Sequence, residues 1–189
     1  MDLCATQFEI LKSRLTRISS NFMGDEMVDE KVRLQKLRKY VIYHNYIYSC
    51  SELVRETYSI GEFCQVSCSV MIVCFGLFKV IITPLKSVQF LMLVTYSTTM
   101  IYQVSLYCCY GQRLLNASST ITEACYMSKW NTCSLEVQRH LVMIMNRANT
   151  PFIMKAGGIF SLTLETLMTI FTSSYSFFAI LCQVFNADE

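Results

Sequence analysis

Few side chains in this sequence could do covalent or acid–base chemistry, and their spacing does not bring them together. Ten cysteines and two histidines are present, but no Cys-x-x-Cys occurs, and His44 and His140 are far apart. Tetrahedral zinc needs ligands at close, convergent spacing, so neither a metal nor a cofactor is expected. In a short secreted chain the cysteines would read as a disulfide framework. Here no apolar secretory segment opens the chain, and Cys64, Cys68, Cys74, Cys108, Cys109 and Cys182 lie within apolar runs, where they read as small hydrophobes. No apolar run holds a carboxylate or histidine pair, and Glu165 stands alone at the mouth of one of them, so no enzymatic activity is expected. The net charge of +2, without a basic block, offers little to a polyanion, so nucleic-acid binding is not expected.

The elements that must position these residues are apolar helices. The chain is 53% hydrophobic and 16% charged, and its charge is uneven: 18 charged residues in the first 62, 12 in the remaining 127. A bilayer core of about 30 Å needs roughly 20 helical residues. Ser87 to Gln112 and Thr166 to Ala187 are uncharged runs of 26 and 22 residues. Phe63 to Phe78 is a run of 16, which Lys79 could extend to Ile82 by reaching toward headgroups. Gln65, Ser69, Thr95, Tyr96, Gln103, Ser173, Tyr175 and Ser176 suit helices packed on protein or facing water better than helices surrounded by lipid. Buried helices of a soluble protein are the other reading of these runs. The expected class is an all-α, multi-pass membrane protein with three transmembrane helices and long cytoplasmic helical extensions. Its parts are residues 1–62, amphipathic and cytoplasmic; 63–112, two spans joined by a short outer loop; 113–165, a cytoplasmic exit and helix; and 166–189, the terminal span. The two segments on the N-terminal side hold 14 Lys/Arg and the opposite side two, which places the N-terminus inside and the C-terminus outside.

The polar segments carry helical seams. Phe8, Leu11, Leu15, Ile18 and Phe22 form one stripe, and Leu34, Leu37, Val41, His44 and Tyr48 form another, with a turn expected at Gly24-Asp25-Glu26. His44 reads as a core histidine rather than a pH sensor, since no carboxylate stands three or four residues away. Ser134 is placed to cap a helix with the face Leu135, Gln138, Leu141 or Val142, Met145 and Ala148, interrupted at Pro151. That helix is expected to feed directly into the last span; a passive re-entry loop is the alternative.

Several residues together resemble the C-terminal half of insect odorant receptors. Tyr107-Cys108-Cys109-Tyr110-Gly111, Leu114, Ser118, Ala124, Tyr126 and Trp130 look like that family's sixth helix and its exit. Arg139, Leu141, Arg147-Ala148, Pro151, Ala156-Gly157 and Leu162 resemble the cytoplasmic part of the seventh helix and its junction. Ser174-Tyr175-Ser176-Phe177-Phe178 and Leu181 resemble the terminal pore helix, and His44, Glu52-Leu53, Gln65, Ser69 and Cys74 fit the fifth more loosely.

The resemblance implies a subunit portion of an odorant-gated, non-selective cation channel in the plasma membrane of olfactory neuron dendrites. It implies hetero-tetramers with a co-receptor subunit, contact with membrane lipid, and a volatile small-molecule ligand in the full-length receptor. Against the family's seven helices the match starts on the cytoplasmic extension of the fourth, so most of the odorant pocket is expected to lie outside this sequence. The expected subunit anchor comprises Trp130, Leu135, Arg139, Leu141, Met145 and Arg147. On the last helix Phe177, Ile180 and Val184 share one stripe with Ser173 and Ser176 near it and Gln183 adjacent, a pore and gate face in which an apolar ring closes by dewetting. Ordinary helix packing is the other reading of that stripe. A second function class is a truncated, non-conducting interaction protein that joins or poisons receptor tetramers.

Overall fold

The structure is a computed structural model that describes residues 1–21, 30–84, 87–127 and 134–187. It is all-α apart from one small hairpin. The order is α1 (Asp2–Asn21), α2 (Glu30–Ile82), α3 (Val88–Tyr126), α4 (Leu135–Ala148), β1 (Lys155–Ala156), β2 (Phe160–Ser161) and α5 (Leu164–Ala187). These divide into two compact units, Met1–Glu56 with Arg113–Met154 and Thr57–Gln112 with Lys155–Glu189.

The first unit has a core of large side chains. On α1, Phe8, Leu11 and Leu15 are buried, and on α2, Leu37 and His44. The two seams meet: the Phe8 ring stands edge-on to the His44 imidazole at 6.1 Å, and Tyr43 donates a hydrogen bond to Gln7 Oε1. Ile18, Phe22 and the Gly24-Asp25-Glu26 turn fall outside the side chains and residues described. Leu114 and Ile121 of α3 and Ile144 of α4 complete the core. Arg113 pairs with Asp2 and, at 3.3 Å, with Glu9. Both pairs are about half exposed, so each contributes less than about 1 kcal/mol.

The seam at 34–48 and the apolar run from Phe63 are one helix of 53 residues, about 80 Å long at 1.5 Å per residue. The charges at 52–62 look like a boundary in the sequence, yet no proline breaks the chain there, and Glu52 and Arg55 pair along the helix. α2 stops at Pro84, where Thr83 Oγ1 donates to the Lys79 carbonyl at 2.7 Å. Ser87 starts α3 by accepting from the Gln89 N–H at 3.2 Å. Among the described residues one stretch, Leu34–Gly76, holds a segment long and apolar enough by composition to cross a membrane. α3 and α5 carry many hydroxyls within their uncharged runs. Several of those hydroxyls are satisfied within the helix: Thr95, Thr98 and Thr99 donate to carbonyls four residues back at 2.8–2.9 Å, as do Thr169, Thr172 and Ser176 at 2.9–3.0 Å.

The second unit packs through small residues. A Cβ on Gly76 of α2 would stand 2.6 Å from Ser97 Oγ of α3. Its compact cluster is Val104 and Cys108 of α3 with Leu167 of α5, flanked by Ile170.

Candidate functional site

α5 is the element on which the sequence places a pore face. Its start is fixed by Thr163, whose carbonyl accepts from Leu167 N–H at 3.1 Å, while Glu165 in the first turn sits where the helix dipole favours an anion. One narrow stripe is buried, Leu167 and Ser174, with Ile170 and Phe178 half-buried on the same side. The expected pore residues Ser173, Ser176, Phe177, Ile180 and Gln183 are all exposed, Phe177 beside the buried stripe. Phe177 and Ile180 are 46% and 58% exposed, values at odds with a helix sealed inside a soluble core. The Val184 side chain lies outside those described.

α5 does not follow α4 directly, as the sequence reading expected. Residues 149–163 intervene, and they are structured. Asn149 caps α4, and Phe152, fully buried, donates its N–H to Ser118 Oγ at 2.9 Å. Tyr48 meets the Phe152 ring edge-on at 5.5 Å; the Arg55 and Arg147 guanidiniums lie 5.7 Å from the Phe152 centroid and 4.5 Å from the Tyr48 centroid. The hairpin that follows pairs Lys155 with Ser161 and Ala156 with Phe160, and turns through Gly157 and Gly158 at φ +61° and +72°.

The α4 face is turned relative to the expected one. Its buried residues are Val137, Leu141, Ile144 and Ala148, whereas Leu135 and Val142 are exposed and Met145 is half-buried. The helix is apolar on two sides, so spacing alone could not choose between them. Ser134 occupies the capping position with extended backbone, but its hydroxyl makes no capping hydrogen bond. Arg139 is exposed; Trp130 lies outside the described residues. The anchor residues thus divide into Leu141 in the core, Arg147 on Tyr48, and Leu135 and Arg139 facing outward.

Two cavities border the second unit's helices. A cleft of about 840 Å³ is lined by Phe75, Phe78 and Lys79 of α2, Thr83, and Gln89, Met92, Leu93 and Tyr96 of α3. A small space of about 20 Å³ lies among α2, α3 and α5, bordered by Ser69, Val73, Val104, Ile170 and Ser174. No group of three or more metal-ligating side chains is present among the described residues. The eight described cysteines are free thiols. Cys4, Cys74, Cys108 and Cys125 are buried, while Cys50, Cys64, Cys68 and Cys109 are exposed. Burial pushes the Cys125 thiol up to about 12, which keeps it protonated and unreactive. His44 is buried, and burial together with the nearby Arg147 charge lowers its pKa.

The comparisons with known proteins give this arrangement a class. The family described as 7tm odorant receptor matches residues 3–175, and the chain belongs to that family. Odorant receptor 85b of Drosophila melanogaster is 29% identical over 175 residues, covering 92% of this chain and 43% of the relative. Odorant receptor Or2 of Anopheles gambiae is 23% identical over 187 residues, covering 95% and 48%. The chain therefore spans less than half the length of the relatives it matches. Among solved structures, the insect olfactory receptor OR5 of Machilis hrabei in complex with eugenol shares the fold at a TM-score of 0.84, with 20% identity over 96% of this chain and 45% of that one.

Sequence reasoning missed the Tyr48–Phe152–Arg55 cluster, which joins residues about a hundred positions apart with no local signature. It also missed Gly111 as a contact point. An isolated glycine inside an apolar helical run was the available signal.

Proposed function

We propose that this chain forms part of a subunit of an odorant-gated, non-selective cation channel that acts with a co-receptor subunit in olfactory detection. Family membership over residues 3–175 carries this reading. The physical support is α5. A helix that buries only one narrow stripe and leaves Ser173, Ser176, Phe177, Ile180 and Gln183 exposed has faces free for a neighbouring subunit, lipid or an aqueous path. In this reading the N-terminus and residues 113–165 are cytoplasmic, the second unit lies in the plasma membrane, and α5 lines the conduction path. Ile180 with Phe177 supplies the apolar constriction, and Gln183 offers an amide to a passing cation. The exposed Leu135 and Arg139 of α4 meet a neighbouring subunit of the hetero-tetramer.

The cleft between the end of α2 and the start of α3 is of a size that suits a small, mostly apolar molecule, with the Tyr96 hydroxyl and Gln89 amide as polar contacts. In this reading it supplies one wall of a ligand site. The test is current from cells expressing the chain with a full-length co-receptor, against co-receptor alone, using eugenol as the first probe. A current component that depends on the chain and changes with Ile180→Ser supports the reading. Currents indistinguishable from co-receptor alone would contradict it.

A further inference from the structure

The hairpin between α4 and α5 is held from two sides within the second unit. On the α2 side, Gly157 N–H donates to the Ser59 carbonyl at 2.9 Å and Ser59 Oγ donates to the Lys155 carbonyl at 3.1 Å. The Phe63 and Phe160 rings stack at 5.9 Å and 17°. A Cβ on Gly157 would come within 2.8 Å of the Phe63 ring, so glycine is required there twice over, for its positive φ and for the space. On the α3 side, Gly111 lies so close to Leu162 that a methyl in its place would run into the Leu162 carbonyl. Gln112 Oε1 accepts from the Leu164 N–H at 3.4 Å. α5 begins at Leu164, directly after this grip. Beyond Ser174 its described side chains are exposed apart from the half-buried Phe178.

We infer that residues 155–164 are a clasp through which α2 and α3 set the position of α5, with Gly111, Gly157, Phe63 and Phe160 as its positioning residues. The same two helices border the 840 Å³ cleft at Phe75–Lys79 and Gln89–Tyr96. A helix transmits displacement along its length, so separating α2 from α3 at the cleft changes the spacing of Ser59–Phe63 and Gly111–Gln112 and moves the start of α5. The clasp thereby joins ligand occupancy to the pore helix; this consequence rests on the channel reading, whereas the grip on α5 does not.

The experiment has two arms on the full chain. In nanodiscs, hydrogen exchange followed by mass spectrometry reads residues 155–170. Phe160→Ala removes the ring stack and should speed exchange there roughly three- to tenfold, with the α3 interior unchanged and Phe160→Tyr close to wild type. In cells with the co-receptor, Phe160→Ala should lower the maximal eugenol-evoked current severalfold at unchanged half-maximal concentration, and Phe160→Tyr should restore it. Unchanged exchange in Phe160→Ala overturns the clasp. Faster exchange with unchanged current overturns its coupling role. Absence of any chain-dependent current in the wild type contradicts the channel reading, and the exchange arm still decides the clasp.

Discussion

The two units of this chain bury different mixes of residue. In the first, the large fully buried side chains are Phe8, Leu11, Leu114, Ile121, Ile144, Phe152 and Met154, with Cys125 and Ser51 among them. In the second they are Leu162, Cys108 and Ser69, while Met168, Phe177 and Ile180 are exposed and Phe75, Met92 and Tyr96 are exposed along the cleft. The first unit is built as water dictates, large apolar groups inside and ion pairs such as Arg113–Asp2 at the surface. On the proposal that the second unit lies in the bilayer, its arrangement is the one lipid favours. Hydrocarbon gives helices no hydrophobic reason to associate, so they approach through glycine and serine, as Gly76 and Ser97 do, and leave bulky side chains to the solvent tails. One polypeptide therefore obeys two sets of packing rules, and α2 and α3 cross from one to the other without a break.

If that contrast holds, substitutions of equal size should differ in cost between the units. The largest effect is expected for Leu141→Asp, which places an unpaired charge in the first unit's core and should cost roughly 3–5 kcal/mol. Thermal unfolding of the purified chain should lose its cooperative transition, whereas Leu135→Asp on the exposed side of α4 should keep the fold and lose co-precipitation with the co-receptor. Ile144→Ala should cost about 2–4 kcal/mol by leaving a cavity, but Ile180→Ala, outward on α5, less than about 0.5 kcal/mol. Equal melting shifts for the two isoleucine variants would erase the distinction.

A smaller effect is expected at Ser174, a buried hydroxyl without a hydrogen-bond partner beside the small cavity. Ser174→Ala should be neutral or stabilise by up to about 1 kcal/mol, because no bond is lost and a desolvated polar group is removed. A loss above 1 kcal/mol would mean that this hydroxyl is satisfied.

His44 gives the first unit an acid dependence. Its pKa is lowered in the folded state by burial first and by Arg147 second, so the unfolded chain takes up the proton more readily. The associated stability is present above the unfolded value of about 6.5 and is lost as pH falls below it toward the folded value. A melting series from neutral pH downward should show this loss, and His44→Phe should flatten it. The smallest effect is expected for Arg113→Gln, less than about 1 kcal/mol and vanishing at high salt, since its pairs with Asp2 and Glu9 are half exposed.

Periodicity made much of this fold legible. The 8-11-15 stripe and the Leu37 and His44 positions are buried against each other because a helix in water must hide such a stripe. Uncharged runs located α3 and α5, and Pro84 located the end of α2. What local pattern could not reveal was decided by distant residues. The sequence divides an amphipathic seam at 34–48 from an apolar run at 63–78, and both lie on one continuous helix together with Glu52, Arg55, Glu56 and Glu62. α4 offered two apolar sides, and only packing selected Val137, Leu141, Ile144 and Ala148. Gly157-Gly158 announced a turn, but the hairpin exists because Ser59, Phe63 and Gly111 receive it, and these lie 46 to 98 positions away. On α5 the expected stripe residues Phe177 and Ile180 are exposed.

The two sets of packing rules can be read directly from the solvent each unit meets. Fluorescent labels at Met92 and Met168 in the second unit, and at Val142 and Met143 in the first, all sit at exposed positions. With the chain in vesicles containing nitroxide-labelled lipid, the account predicts strong lipid quenching and weak iodide quenching at 92 and 168. At 142 and 143 it predicts little lipid quenching, and iodide quenching wherever no subunit covers them. Lipid quenching of equal strength at all four positions, or iodide reaching 92 and 168 freely, would contradict a second unit built for the bilayer.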